Sequence, residues 1–183
     1  ENPTPLPLPK DQQTGLVPVG GTPAAVPPAA PAANPNTPGV SSKPRDPIAI
    51  DQTGPDNPAG LPPAYVTKLK AGGPAGALKF LYPYEGTVFP RGLVPPQLMW
   101  DGGAPDALYL HIKSQSFEYS GVLKPALDPV TMQPSITLPD DIWAKMGQQT
   151  NGKNDPFSLE LTARLNGNIA GPIKVSIIIA QAT

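Results

Sequence analysis

The chain contains no cysteine. That removes disulfides, thiolate metal sites, iron–sulfur clusters and cysteine nucleophiles together. It has a single histidine, His111, so a histidine-rich metal site cannot form, and a serine-hydrolase scheme would have to use that one residue. His111 falls on the polar side of an alternating segment, and no Gly-x-Ser-x-Gly turn precedes a helix. No run of about 18 apolar residues occurs, so no membrane-spanning helix is expected. The charges are 13 Lys and Arg against 14 Asp and Glu, a formal net charge of −1, with no like-charge run. Phosphate neutralisation needs clustered cations, so nucleic acid is not an expected partner. Gly72-Gly73-Pro74-Ala75-Gly76 lacks the Lys-Ser/Thr ending of a phosphate loop. Glu85, Glu118 and Glu160 offer no singled-out pair for glycosidase chemistry. An oxygen-only Ca²⁺ site from Asp101, Asp106, Asp140, Asp141, Asn151, Asn154 and Asp155 stays open, although turn and cap duty accounts for these residues. No cofactor and no enzymatic activity are expected.

Proline is abundant and unevenly spread. Of 29 prolines in 183 residues, 17 lie in residues 1–63, a span with no Phe, Trp or Tyr. The opening Thr4-Pro5-Leu6-Pro7-Leu8-Pro9 alternates proline with other residues, and Val26-Pro27-Pro28-Ala29-Ala30-Pro31 continues the bias. Proline fixes φ and pushes the preceding residue away from the α region. Such a segment favours extended polyproline II and cannot offset its ordering entropy by folding alone. Residues 1–63 therefore read as a proline-rich extended tail, 64–77 as a hinge and 78–183 as a folded domain. As a stiff assembly arm the tail would dock at low entropic cost. Its anchors would be Leu6, Leu8, Leu16, Val17, Val19, Val26, Ile48, Ile50 and Leu61, and its partners another protein or copies of this chain. Glu1-Asn2-Pro3 reads as a processed terminus, which favours export.

From Leu78 the apolar period becomes two. Leu78, Phe80 and Tyr82, then Leu98 and Trp100, then Leu108, Leu110 and Ile112, each alternate with their neighbours. Phe117 and Tyr119, then Phe157, Leu159, Leu161 and Ala163, then Val175, Ile177 and Ile179, do the same. Ser135–Leu138 adds a short seventh strand. Apolar-in, polar-out alternation marks half-buried strands. Asn166-Gly167 is a strong hairpin signal, and Gly171-Pro172 predicts a kink or bulge. One two-turn helix is expected after Asp140 as cap, with Ile142, Trp143 and Met146 on its apolar face and Gly147 ending it. The expected fold is an all-β, antiparallel sandwich of about seven strands with one short helix. By alternation Tyr84, Tyr109 and Tyr119 are candidates for an exposed sugar-binding platform.

The stretch Phe80-Leu81-Tyr82-Pro83-Tyr84-Glu85-Gly86-Thr87-Val88-Phe89-Pro90-Arg91-Gly92-Leu93, with Pro96 and Leu98-Met99-Trp100, carries a longer pattern. It resembles the signature of immunoglobulin-like β-sandwich modules found in large secreted or surface proteins of myxobacteria and related bacteria. Tyr109-Leu110-His111-Ile112, the Ile136–Trp143 segment and Gly171-Pro172-Ile173 fit the same pattern. The resemblance spans about residues 78–180 and implies fold and export, but no catalytic residues. Pro83 would end a strand because it cannot donate to a ladder. Trp100 would sit in the core, and Arg91 would pair Glu85 or cap carbonyls.

The expected function is a non-enzymatic, exported structural or accessory subunit, tied by its arm into an extracellular, cell-surface or periplasmic assembly. The alternative is a module that binds carbohydrate or a cell-surface polymer.

Overall fold

A computed structural model describes residues 46–181. Two β-sheets face each other across one core. The first sheet holds six strands: β1 (Ile48–Gln52), β3 (Thr87–Phe89), β5 (Ala107–Lys113), β6 (Phe117–Leu123), β9 (Phe157–Leu165) and β10 (Asn168–Ile179). Their spatial order is β1-β6-β5-β9-β10-β3. The second sheet holds β2 (Lys79–Tyr82), β4 (Gln97–Asp101), β7 (Ala126–Leu127) and β8 (Pro134–Thr137) in the order β2-β4-β8-β7. Two α-helices, α1 (Pro63–Ala71) and α2 (Asp140–Gln149), and one 3₁₀ turn (Gly152–Asn154) complete the regular elements among the described residues. The chain is therefore mostly β and forms a sandwich.

Alternation fills the space between the sheets. Leu108, Leu110 and Ile112 of β5 and Phe157, Leu159 and Leu161 of β9 meet Leu98 and Trp100 of β4 in one buried cluster. Trp100, Leu110, Leu159, Leu161 and Ile177 are fully buried, as the period of two requires. The Trp100 indole N–H has no hydrogen-bond partner among the described residues, so this side chain contributes through volume and apolar area. The hairpin between β9 and β10 forms at the expected place. Asn166 and Gly167 both take positive φ, 50° and 83°, while Leu165 pairs with Asn168. That two-residue turn has the twist that antiparallel neighbours need. The ladder then shifts register between Ala170 and Ile173, so Gly171-Pro172 makes the bulge its composition suggests.

Several elements differ from the expectation. The sandwich is not wholly antiparallel, because the edge strands β1 and β3 run parallel to β6 and β10. Both arrive by long connections, which parallel pairing demands. Among the described residues the strands number ten, since β1, β3 and β7 are too short or too polar to show a period. Helix α2 begins at Asp140 itself, with Pro139 before it and no side-chain cap bond. Asp140 and Asp141 sit in its first turn, where carboxylates offset the positive end of the helix. Gly147 does not stop the helix, which runs on to Gln149. Tertiary bonds hold that extra turn: the Gln149 side chain donates to the Asp46 carbonyl, and its own carbonyl accepts from Ser116 Oγ.

The expected tail and hinge also contain packed structure. Ile48 and Ile50, expected as arm anchors for a partner, are residues of β1 and pack on the main core of their own chain. Leu61 is buried with Val66 and Leu69 of α1 against Ala107 and Val122. Helix α1 occupies most of 64–77. It starts with proline in its first turn, where the missing N–H costs nothing. The Gly72-Gly73-Pro74 segment is bonded across the β10 bulge, Gly73 N–H to Gly171 O at 2.6 Å and Gly171 N–H to Pro74 O at 3.2 Å. It is a strap and not a hinge. Leu6, Leu8, Leu16, Val17, Val19 and Val26 lie outside the described residues.

Replacing Trp100 by Ala is expected to cost about 3–5 kcal/mol, read as a shift of the urea midpoint. A cost below about 1 kcal/mol would refute its place in the seam. Truncation separates the boundaries: removing residues 1–45 leaves the melting midpoint nearly unchanged. Removing 1–63 strips β1 and Leu61 from the core and lowers stability by at least about 2 kcal/mol. Equal midpoints for the two truncated chains would show that β1 carries no packing.

Candidate functional site

The segment from Tyr82 to Pro95 carries the chain from one sheet to the other. Strand β2 ends at Tyr82, and the next four residues turn toward β10. Gly86, at φ 73°, donates its N–H to Ser176 O at 2.8 Å, while Ser176 N–H donates to the Glu85 carboxylate at 2.9 Å. Thr87 closes the turn, its N–H and hydroxyl both donating to Tyr84 O. These bonds set β3 alongside β10, and Ala180 N–H extends the pairing to Phe89 O. Phe89 points inward, with its ring edge-on to Tyr82 and to Trp143, the latter at 5.5 Å between centroids.

Beyond β3 the chain turns at Arg91-Gly92, where Gly92 takes φ 85°, and runs past α2. The Trp143 indole N–H donates to Leu93 O at 2.8 Å. This bond fixes the loop against the helix and leaves a groove of about 440 Å³ between them. Trp143, Ala144 and Gly147 face it from α2, and Leu93 and Val94 line the opposite side. Ala and Gly at those helix positions leave it open. Leu93 and Val94 are 53% and 83% exposed, unusual for aliphatic side chains that flank a concave surface. Arg91 and Asp140 add one charge of each sign. Neither forms an ion pair among the described residues. Arg91 does not pair Glu85, whose carboxylate accepts from the Ser176 N–H.

The three tyrosines expected as a platform do not share a face. Tyr84 is 72% exposed at the β2–β3 turn. Tyr109 lies on the outer face of the six-stranded sheet, stacked on His111, its hydroxyl within hydrogen-bond distance of Ser120. Tyr119 is fully buried in the core. Its side chain leans over Gly121, where a Cβ would lie 2.0 Å from its hydroxyl, and that hydroxyl donates to Gln52 of β1 at 2.9 Å. The sequence contained this signal: Tyr119 shares the parity of Phe117, and only a glycine two residues on makes room for the ring.

The outer face of the same sheet is charged. His111 bonds Glu118 at 2.9 Å, Lys113 approaches the same carboxylate, and Lys174 meets Glu160. Hydrogen bonding from His111 holds the Glu118 carboxyl below its usual range. Asp106 is lowered mainly by its bonds from Arg164, whose guanidinium also lies 4.8 Å over the Tyr65 ring. Burial pushes the Tyr119 phenol up to about 12. Asp155, one of the oxygen ligands considered for Ca²⁺, instead accepts from Gln115 N–H at 2.8 Å. No group of three acidic or histidine side chains able to hold a metal lies among the described residues. No helix among them is long and apolar enough to cross a membrane. The groove escaped the sequence reading because Leu93-Val94-Pro95 and Trp143 are 50 residues apart. No family model, curated protein or solved structure matches this chain.

The raised Tyr119 phenol has a consequence at high pH. The folded chain holds that proton more tightly than the unfolded chain, so its contribution is complete below about pH 10 and is lost as pH rises through about 12. Tyr119→Phe is expected to cost about 1 kcal/mol at neutral pH through the lost bond to Gln52. It should also flatten the alkaline fall in melting temperature. Identical slopes for both proteins between pH 10 and 12 would contradict the assignment.

Proposed function

We propose that the chain is a non-enzymatic assembly subunit, exported to the cell surface, periplasm or exterior. In this reading an immunoglobulin-like sandwich is tied into a larger structure by its proline-rich N-terminal arm. The immunoglobulin assignment is supported by strand order. That fold pairs A-B-E-D in one sheet and C-F-G in the other, with C′ beside C. Reading β2, β4, β8 and β7 as A, B, E and D, and β6, β5, β9 and β10 as C′, C, F and G, reproduces the order. Strand β3 then continues A across to G, and α2 fills the E–F connection. The signature from Phe80 to Trp100 supports the same family resemblance and, with it, export.

The observation that carries the functional reading is how the arm joins the domain. The residues that follow the proline-rich segment form β1, and several bonds secure its start. Ile48 N–H donates to Ser116 O at 3.0 Å, and the Gln149 side chain donates to Asp46 O at 3.4 Å. Ile48 and Ile50 then enter the core. A tether that must hold position needs such a joint, whereas a spacer has no use for one. The sugar-platform alternative loses its basis with Tyr119 in the core.

The test is recovery of the chain in its native assembled fraction, with and without residues 1–45. Loss on truncation, with an unchanged melt, is expected. Equal recovery of both forms would end the assembly-arm reading.

A further inference from the structure

The groove between residues 91–95 and α2 combines exposed flanking aliphatic side chains, an open floor and a charge of each sign that forms no ion pair among the described residues. We infer that it receives the Pro5–Asp11 segment of the arm of a second copy. This rests on the reading of residues 1–45 as an assembly arm and names what the arm holds.

The chemistry of the two surfaces corresponds. The sequence Pro5-Leu6-Pro7-Leu8-Pro9 favours polyproline II, a conformation that pairs none of its own backbone carbonyls and would present proline and leucine as an apolar ridge. The exposed apolar surface of the groove is aliphatic, from Leu93 and Val94, and proline and leucine side chains lose water-exposed area by packing on it. Trp143 is buried and fixes the loop through its bond to Leu93 O. Seven residues in polyproline II span roughly 20 Å, and the ten-residue α2 beside the groove spans roughly 15 Å. Charge sets the direction. Lys10-Asp11 is the only adjacent pair of opposite charges within residues 1–45. Asp140 and Arg91 offer its complement, so Lys10 meets Asp140 and Asp11 meets Arg91. Docking covers Leu93 and Val94.

The length of the arm selects a second copy over self-docking. The arm joins the domain at Asp46, whose carbonyl is bonded to Gln149, one residue beyond Gln148 of the groove. The span to be closed within one molecule is thus about one helix length. Residues 12–45 hold eight prolines, and as a semi-rigid spacer they reach on the order of 100 Å. The effective concentration for self-closure falls as a spacer lengthens beyond its span, and closure within one molecule would leave the chain monomeric. One arm and one groove per copy make a head-to-tail contact, which builds a ring or a filament.

Sedimentation velocity of the full chain over a range of concentrations tests this. Wild type is expected to associate reversibly. Asp140→Lys and Lys10→Glu are each expected to weaken association by about tenfold or more, with the melting curve unchanged for Lys10→Glu and slightly lowered for Asp140→Lys, which puts a cation in the first turn of α2 while Asp141 stays. The double variant Asp140→Lys/Lys10→Glu is expected to recover association to within about threefold of wild type. A wild type that stays monomeric, association indifferent to either charge reversal, or a double variant no better than the singles overturns the inference. If those results come with loss of the arm-truncated chain from the native assembly, the arm still serves assembly, but on another partner. If truncation has no effect either, both readings fall together.

Discussion

The passage of the chain from one sheet to the other between Tyr82 and Thr87 is the constraint on which the rest of the structure depends. A sandwich needs its open edge closed, and here one short turn does it. The Ser176 backbone binds that turn from both sides, through the Glu85 carboxylate and the Gly86 amide. With β3 held beside β10, Phe89 has only one direction in which to point, and it meets Trp143. Trp143 in turn fixes the loop at Leu93. The groove is thus a by-product of edge closure: once the loop is pinned at one atom, Leu93 and Val94 stay on the outside.

What could be read from the sequence follows from how local each cause is. Seven of the strands from Leu78 onward were legible because a period of two needs no partner to be visible, whereas β3 and β7 are three and two residues long and show none. The Asn166-Gly167 turn was legible because its backbone preference is intrinsic. Strand β1 was not, since Ile48-Ala49-Ile50-Asp51-Gln52 is short, and its pairing with β6 depends on residues 69 positions away. Helix α1 was hidden by weak amphipathicity, with only Val66 and Leu69 buried. The end of α2 was misplaced because Gly147 is a local stop signal overridden by bonds from Ser116 and to Asp46. The groove was invisible for a similar reason. Its halves come from separate segments, and only the Trp143–Leu93 bond joins them.

The energetics divide along the same line as the geometry. Between the sheets, large side chains such as Trp100, Tyr119, Phe117 and Phe157 are fully buried and supply most of the favourable burial. Outside, the pairs Lys174–Glu160, Lys79–Asp101 and Lys145–Asp141 are solvated, and such pairs contribute little. Arg164 is the exception. It binds Asp106 through two nitrogens while lying over Tyr65 of α1, so one guanidinium fastens the helix to the sheet.

Strand β1 has a mechanical meaning. It runs parallel to β6, and its first residue lies opposite the first residue of β6. The last residues of β10 lie at the same end of the sheet, since Ile177 pairs with Phe157 at the start of β9. A pull on the chain at Asp46, directed along the strand, therefore loads the β1–β6 hydrogen bonds side by side and not one after another. Bonds loaded in shear yield together, whereas bonds peeled from an end yield singly. The bond from Gln149 to Asp46 O takes up the first of that load before it reaches Ile48, whose own N–H is held by Ser116 O. The β1–β6 pairing thus resists a pull directed along the strand better than one directed across it.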